Sequence, residues 1–200
     1  FATGLSLGTG VALAGTSRVD TQGTLQDTGN AFDLAIEGNG YFQLQRPDGS
    51  IGYTRDGNFT RTAEGTLVNS DGLPLVPQIQ VPQGTTAITI GNDGTVSATL
   101  PGESAPTELG QIELASFTNP SGLQSIGGNV LLESAASGAP QVGAAGLEGR
   151  GTIRQGSLEG SNVNIVEELV DMIETQRAYE VNSKMIKSTD EMLQYVNQQL

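Results

Sequence analysis

SNVNIVEELVDMIETQRAYEVNSKMIKSTDEMLQYVNQQL, residues Ser161 to Leu200, is the stretch whose reading decides the fold. From Val163 onward it contains no glycine and no proline, whereas the preceding 160 residues are broken by glycines and turn dipeptides every few positions. Uninterrupted helix formers after such a background predict one long helix, Asn164 to Leu200, following a β-rich body. Asn164 is placed to cap it, and Glu167 three residues later has the spacing of a capping box. Glu167, Glu168 and Asp171 put negative charge in the first turns, where the helix dipole favours it. Glu180 and Lys184 form an i,i+4 pair of the favourable polarity.

The apolar pattern of this helix is lopsided. Ile165, Met172, Tyr179, Ile186, Leu193 and Leu200 recur every seven residues. The column four residues on begins with Leu169 and then turns polar: Gln176, Ser183, Asp190, Asn197. A two-stranded coiled coil needs both columns apolar. Ile173 extends the stripe early, and Ala178, Met185 and Met192 widen it on the other side. Such a helix zips poorly to a single mate and suits several neighbours. At 1.5 Å per residue it is roughly 55 Å long, and a β body of this size is about 30–40 Å across. The helix is therefore expected to overhang the body and to find partners outside this chain.

The body, residues 1–160, reads as an irregular β-meander, and the fold class is mainly β with one long C-terminal helix (161–200). In FDLAIEGNGYFQLQ, Phe32, Leu34 and Ile36 alternate with polar or small residues, and Asn39-Gly40 predicts a tight hairpin turn into Tyr41, Phe42 and Leu44. Acidic-Gly pairs follow at Asp48-Gly49, Asp56-Gly57, Glu64-Gly65 and Asp71-Gly72, with short β-prone runs between them. TAITIGNDGTVSATL predicts a second hairpin around Asn92-Asp93-Gly94. ELGQIELASFTN predicts a strand around Ile112, Leu114 and Phe117. The Gly/Ala-rich stretch Glu133–Gly151 is expected to be loop, or an arm ordered only by neighbours. The first 30 residues look similar, with a β-like patch at GVALAGTSRV.

Composition narrows function. The 200 residues carry a net charge of −13, which disfavours phosphate backbones and anionic lipid. There is no cysteine and no histidine, so disulfides, thiolate metal sites and the usual general base are excluded. Hydrophobic residues are 36% and aromatics 4%, so the core must be thin; 28 glycines and 8 prolines point to many turns. No apolar run approaches the length of a membrane helix, and FATGLSLGTG lacks the features of a signal peptide. Asp56-Gly57-Asn58 offers too few ligands for calcium, so the acidic-Gly pairs read as turns. GTGVALAG lacks dinucleotide-loop spacing and no helix follows it. A pair among the 22 acids for glycoside hydrolysis has no aromatic cleft to serve, since Trp is absent. No catalytic, metal or cofactor residue is nominated.

SNVN (Ser161–Asn164), EELVDMI (Glu167–Ile173), QRAYEVNSK (Gln176–Lys184) and DEMLQ (Asp190–Gln194) resemble the C-terminal signature of the bacterial flagellar rod and hook proteins. DLAIEGNGYFQL with YTRDGNF resembles the shared body signature of the same family, and FTNPSGLQSIGGNVLLES and SGAP match it further. The resemblance covers nearly the whole chain. It implies a structural subunit of the distal part of the rod, the drive shaft, self-assembling into a helical tube that carries motor torque to the hook. It implies a basal-body location from periplasm to outer membrane and export through the flagellar secretion channel. Its implied partners are copies of itself, other rod proteins, the hook, the surrounding ring proteins and an N-terminal helix that this piece, starting at Phe1, lacks. No cofactor, nucleic acid or small-molecule substrate is implied. Gln176, Arg177 and Asn182 resemble positions the family keeps; they read equally as interhelical hydrogen-bond groups or as a solvated face. The expected assembly interface is thus Ile165, Leu169, Met172, Ile173, Gln176, Tyr179, Asn182, Ile186, Leu193 and Leu200. A proximal rod subunit of the same family, or an adhesin or phage-fibre-like protein, are the alternatives.

Overall fold

A computed structural model describes residues 18–102 and 105–198. The patch at GVALAGTSRV lies mostly outside them, as does Leu200. Two compact units emerge, Phe1–Gly160 and Ser161–Leu200.

The first unit is built of short strands. They are β1 (Leu25–Asp27), β2 (Leu34–Glu37), β3 (Tyr41–Gln45), β4 (Ile51–Thr54), β5 (Thr60–Arg61), β6 (Leu67–Val68), β7 (Leu75–Val76) and β8 (Ala87–Ile90). After these come β9 (Thr95–Thr99), β10 (Thr107–Gln111), β11 (Glu113–Ser116), β12 (Gln124–Gly127), β13 (Val130–Leu132), β14 (Gln141–Ala144), β15 (Thr152–Gln155) and β16 (Ser157–Glu159). The largest sheet has seven strands in the order β12-β13-β4-β3-β11-β14, with β7 also on β3. A three-stranded sheet, β10-β9-β8, and the two-stranded pairs β1-β16, β15-β2 and β5-β6 surround it.

Strand β3 is central because its side chains alternate between two buried faces. Phe42 and Leu44 enter the main core with Leu34, Ile36, Phe59, Leu75, Ile112, Leu114 and Ile153. Phe42 and Phe59 meet edge to face with centroids 5.3 Å apart. Tyr41 turns to a smaller cluster, where Phe117 stands edge-on to both Tyr41 and Tyr53 at 5.9 and 4.8 Å. Few aromatics suffice because they are concentrated at these two points.

The turn chemistry follows the sequence in most places. Gly49, Gly65 and Gly72 adopt positive φ, so three of the four acidic-Gly pairs are turns of the kind glycine serves. Gly57 differs. Its Cα faces the Leu34 carbonyl so closely that any side chain would collide with it. β8 and β9 form the expected hairpin, with Ile90 opposite Val96.

Three expectations are corrected. Asn39-Gly40 does not close a β2–β3 hairpin: β2 pairs with β15 and β3 with β4, β7 and β11. Gly38 and Gly40 have positive φ but Asn39 does not, and its carbonyl accepts the Gly151 N–H at 2.6 Å. The segment is a corner between two sheets, and a partner from far along the chain wins over the local one. The Gly/Ala-rich stretch is not all loop. It supplies β14, pairs with β11 from Glu113↔Ala144 to Ser116↔Gln141, and buries Ala145 in the main core. Its small residues let the Arg150 guanidinium lie against Gly143 while Nε donates to the Ala144 carbonyl at 3.1 Å. Finally, ELGQIELASFTN is two strands, divided at Ile112, whose N–H donates to the Gly94 carbonyl at 2.8 Å.

The second unit is a single helix, α1 (Ile165–Gln198), of 34 residues.

Candidate assembly interface

The helix begins where its sequence says it should. The Asn164 side-chain oxygen accepts the Val166 N–H at 3.1 Å, and the Asn164 carbonyl accepts the Glu168 N–H at 3.1 Å. Ser161 Oγ braces the approach by accepting the Val163 N–H at 3.2 Å. Glu167 and Glu168 occupy the first turn, beside the unpaired amides. Among the described residues Glu167 makes no return bond to Asn164, so it acts through charge. Thr175 and Thr189 turn their hydroxyls back to the carbonyls of Asp171 and Met185, at 2.8 and 2.9 Å, and so remain within the helix's own hydrogen bonding.

The helix exposes large apolar side chains along its length. Ile165, Leu169, Met172, Ile173, Tyr179 and Ile186 are all exposed, from 49% at Ile173 to 76% at Tyr179. Gln176 and Asn182 are exposed between them. Leu193 lies on the helical backbone. Val166, Val170, Val181, Met185, Met192 and Tyr195, outside the expected set, are exposed as well. Exposed apolar groups this numerous on one helix exceed the scattered single residues of an ordinary surface. Among the described residues no helix is long and apolar enough to cross a membrane.

A second feature was not singled out in the sequence. Arg55, just after β4, gathers the approach to β1, the corner after β2 and the end of β16. Its Nε donates to Glu159 Oε2 at 2.8 Å, Nη1 to the carbonyls of Gly38 at 2.9 Å and Gly40 at 3.2 Å, and Nη2 to the Ile36 carbonyl at 3.2 Å. The other Glu159 oxygen accepts the Gly23 N–H at 2.9 Å. Gln22 clasps the same corner, donating to the Ile36 carbonyl at 3.0 Å and accepting the Gly38 N–H at 3.1 Å. The Gly160 N–H then donates to the Thr24 carbonyl at 2.8 Å. The available signal was an arginine directly after an apolar strand in a chain poor in cations.

Comparison with known proteins agrees with this architecture. Residues 35–98 match the family described as flagellar hook protein FlgE/F/G D1 domain, and residues 154–199 match flagellar basal body rod FlgEFG protein C-terminal. The chain is 50% identical over 195 residues to a flagellar basal-body rod protein FlgG from Buchnera aphidicola subsp. Acyrthosiphon pisum, covering 98% of this chain and 75% of the relative. The chain belongs to the flagellar basal-body rod protein family. A second relative of that name, from Borreliella burgdorferi, is 45% identical over 97% of this chain and 74% of its own length. A flagellar basal-body rod protein FlgF from Caulobacter vibrioides is 37% identical over 89% of this chain and 69% of its own length. The first match runs from β2 to β9; the second takes in the end of β15, β16 and the helix. This membership makes the chain a structural rod subunit of the flagellar basal body and sets aside the adhesin or phage-fibre reading.

Proposed function

We propose that this chain is a subunit of the distal part of the rod, which self-assembles into a helical tube and passes motor torque to the hook. The observation that carries this reading is the helix with exposed apolar side chains from Ile165 to Tyr195. Covering it with helices of neighbouring copies, and with an N-terminal helix of the chain itself, forms the inner tube. The bodies form the outer layer and touch the surrounding ring proteins. Repeating one heterologous contact that does not close gives an open helical polymer. The role is mechanical and not enzymatic. The higher identity to relatives named FlgG than to the one named FlgF supports the distal over the proximal position. Electron microscopy of basal bodies from cells lacking the gene tests the proposal. Rods that stop short, without hooks or filaments, are expected; complete basal bodies bearing hooks overturn it.

A further inference from the structure

Asn39-Gly40 is the one asparagine–glycine pair in the sequence. It lies between β2 and β3, outside any strand, and Asn39 is exposed. Among the described residues the Asn39 carboxamide makes no hydrogen bond. Several other asparagines have theirs engaged. Asn30 Nδ2 donates to Asp33 Oδ1 at 2.9 Å. Buried Asn69 accepts the Asp71 and Leu73 N–H groups at 3.1 and 2.8 Å. Asn119 donates to the Ala136 carbonyl at 3.0 Å and precedes Pro120, which has no N–H to react. Asn164 caps α1. Asn39 alone combines a free carboxamide with a glycine as the next residue.

Asparagine is chemically labile when its carboxamide can reach the next backbone nitrogen. The Gly40 nitrogen attacks Asn39 Cγ and closes a five-membered succinimide. The bond from Cγ to the carboxamide nitrogen breaks, and that nitrogen leaves as ammonia with the proton of the Gly40 amide. Water then opens the ring. Addition at Cγ gives aspartate; addition at the main-chain carbonyl gives isoaspartate, whose main chain runs through Cβ and Cγ. Nothing is oxidised or reduced, and water is the sole co-reactant. The corner itself demands the unhindered neighbour. Gly40 has φ 139°, and a Cβ on it would meet the Leu114 side chain at 3.4 Å. Gly38 has φ 110°, and its Cβ would come within 3.0 Å of Gly151 Cα. The product also falls where spacing matters. The Asn39 carbonyl accepts the Gly151 N–H at 2.6 Å, and Arg55 Nη1 spans the Gly38 and Gly40 carbonyls at 2.9 and 3.2 Å. Isoaspartate inserts one carbon between those two carbonyls and turns the Asn39 carbonyl into a free carboxylate.

We propose that Asn39 is a self-modification site, at which the folded chain deamidates to isoaspartate and so loosens the corner that Arg55 holds. The full chain is aged in warm, mildly alkaline buffer beside its Asn39→Gln and Asn39→Asp variants. Both changes fall on an exposed side chain that holds nothing, so neither disturbs a core. Intact mass, peptide mapping and methylation by an isoaspartate methyltransferase follow the product. An amide-to-acid mass gain confined to the peptide with Asn39 is expected, with methyl-accepting isoaspartate in the same peptide. Its rate should rise several-fold with alkalinity, because base removes the Gly40 amide proton. The melting midpoint of the aged chain should fall in step with the isoaspartate formed. Freshly purified Asn39→Asp, which adds the charge without the extra main-chain carbon, should melt near the fresh chain. Asn39→Gln should neither gain acid nor soften over the same period. An intact amide in the folded chain, while urea-unfolded chain converts, overturns the proposal by showing that the corner shields Asn39. Isoaspartate found only at the Asp-Gly pairs, or an aged chain that melts as the fresh one does, overturns it as well.

Discussion

Replacing Arg55 with methionine keeps most of the stem and removes the guanidinium. Four hydrogen bonds go with it: one to Glu159 and three to the carbonyls of Ile36, Gly38 and Gly40. A hydrogen bond to a charged group contributes about 1.5–3 kcal/mol, but the Arg55 side chain is 25% exposed, so water replaces part of what is lost. Glu159, at 10% exposure, keeps the Gly23 N–H and is left without its cation. The expected cost is about 2–4 kcal/mol. At roughly 2–4 °C per kcal/mol for a unit of this size, the unfolding midpoint should fall by about 5–15 °C. Circular dichroism melts of the full chain, followed in the β region, give the number. Glu159→Gln should cost less, because the amide oxygen can still accept, and the double variant should be less damaged than the two singles added together. A fall of less than about 2 °C for Arg55→Met, or strict additivity with Glu159→Gln, would refute the view that this arginine holds the corner.

Gly57→Ala drives a methyl into the Leu34 carbonyl and disturbs the 3.0 Å bond from the Leu34 N–H to the Gly57 carbonyl. A loss of about 2–3 kcal/mol is expected in urea unfolding, and a wild-type midpoint would show that the approach is looser than described. Asn164→Ala removes the cap on Val166 and should cost the helix about 1 kcal/mol, read as faster amide exchange at Val166 with the body unchanged. Hydrogen bonds from Ser50 hold Asp48, and those from Thr95 hold Asp93, below the ordinary 3.8. Their contribution is complete above 3.8 and is lost as pH falls through the folded values, so the two turns should loosen only below about pH 4; amide resonances of Ser50 and Thr95 that move between pH 7 and 5 would contradict this. Burial raises Tyr41 and Tyr53 above 10.0. Their contribution is complete below 10.0 and lost as pH rises through the folded values. A spectrophotometric titration should therefore show Tyr41 and Tyr53 ionising late.

The parts of this molecule that sequence reveals are those set by local chemistry. The Gly- and Pro-free run after Val163 and the capping Asn164 announce α1. Alternation around Asn92-Asp93-Gly94 announces the β8–β9 hairpin. Glycines at positions 49, 65 and 72 announce turns through their positive φ. What sequence hides is set by distant partners. Asn39-Gly40 carries the composition of a hairpin turn, yet the Gly151 amide, more than a hundred residues on, holds Asn39 in a corner. β14 has almost no apolar signature, because β11 supplies its hydrogen bonds and Arg150 its cover. Arg55 looks like any surface cation until the chain brings Glu159 to it. The heptad column of α1 is plain in the sequence, and Ile165, Met172, Tyr179 and Ile186 of it are exposed.

β1 and β16 run antiparallel, Leu25 against Glu159 and Asp27 against Ser157, so the first and last strands of the body lie side by side. A module with adjoining ends can be exchanged as a cartridge. Any replacement whose first and last strands pair in the same way restores the same gap between Leu25 and Glu159. Engineers could make such an exchange, grafting a foreign domain between residues 24 and 160 and asking only that its two ends meet.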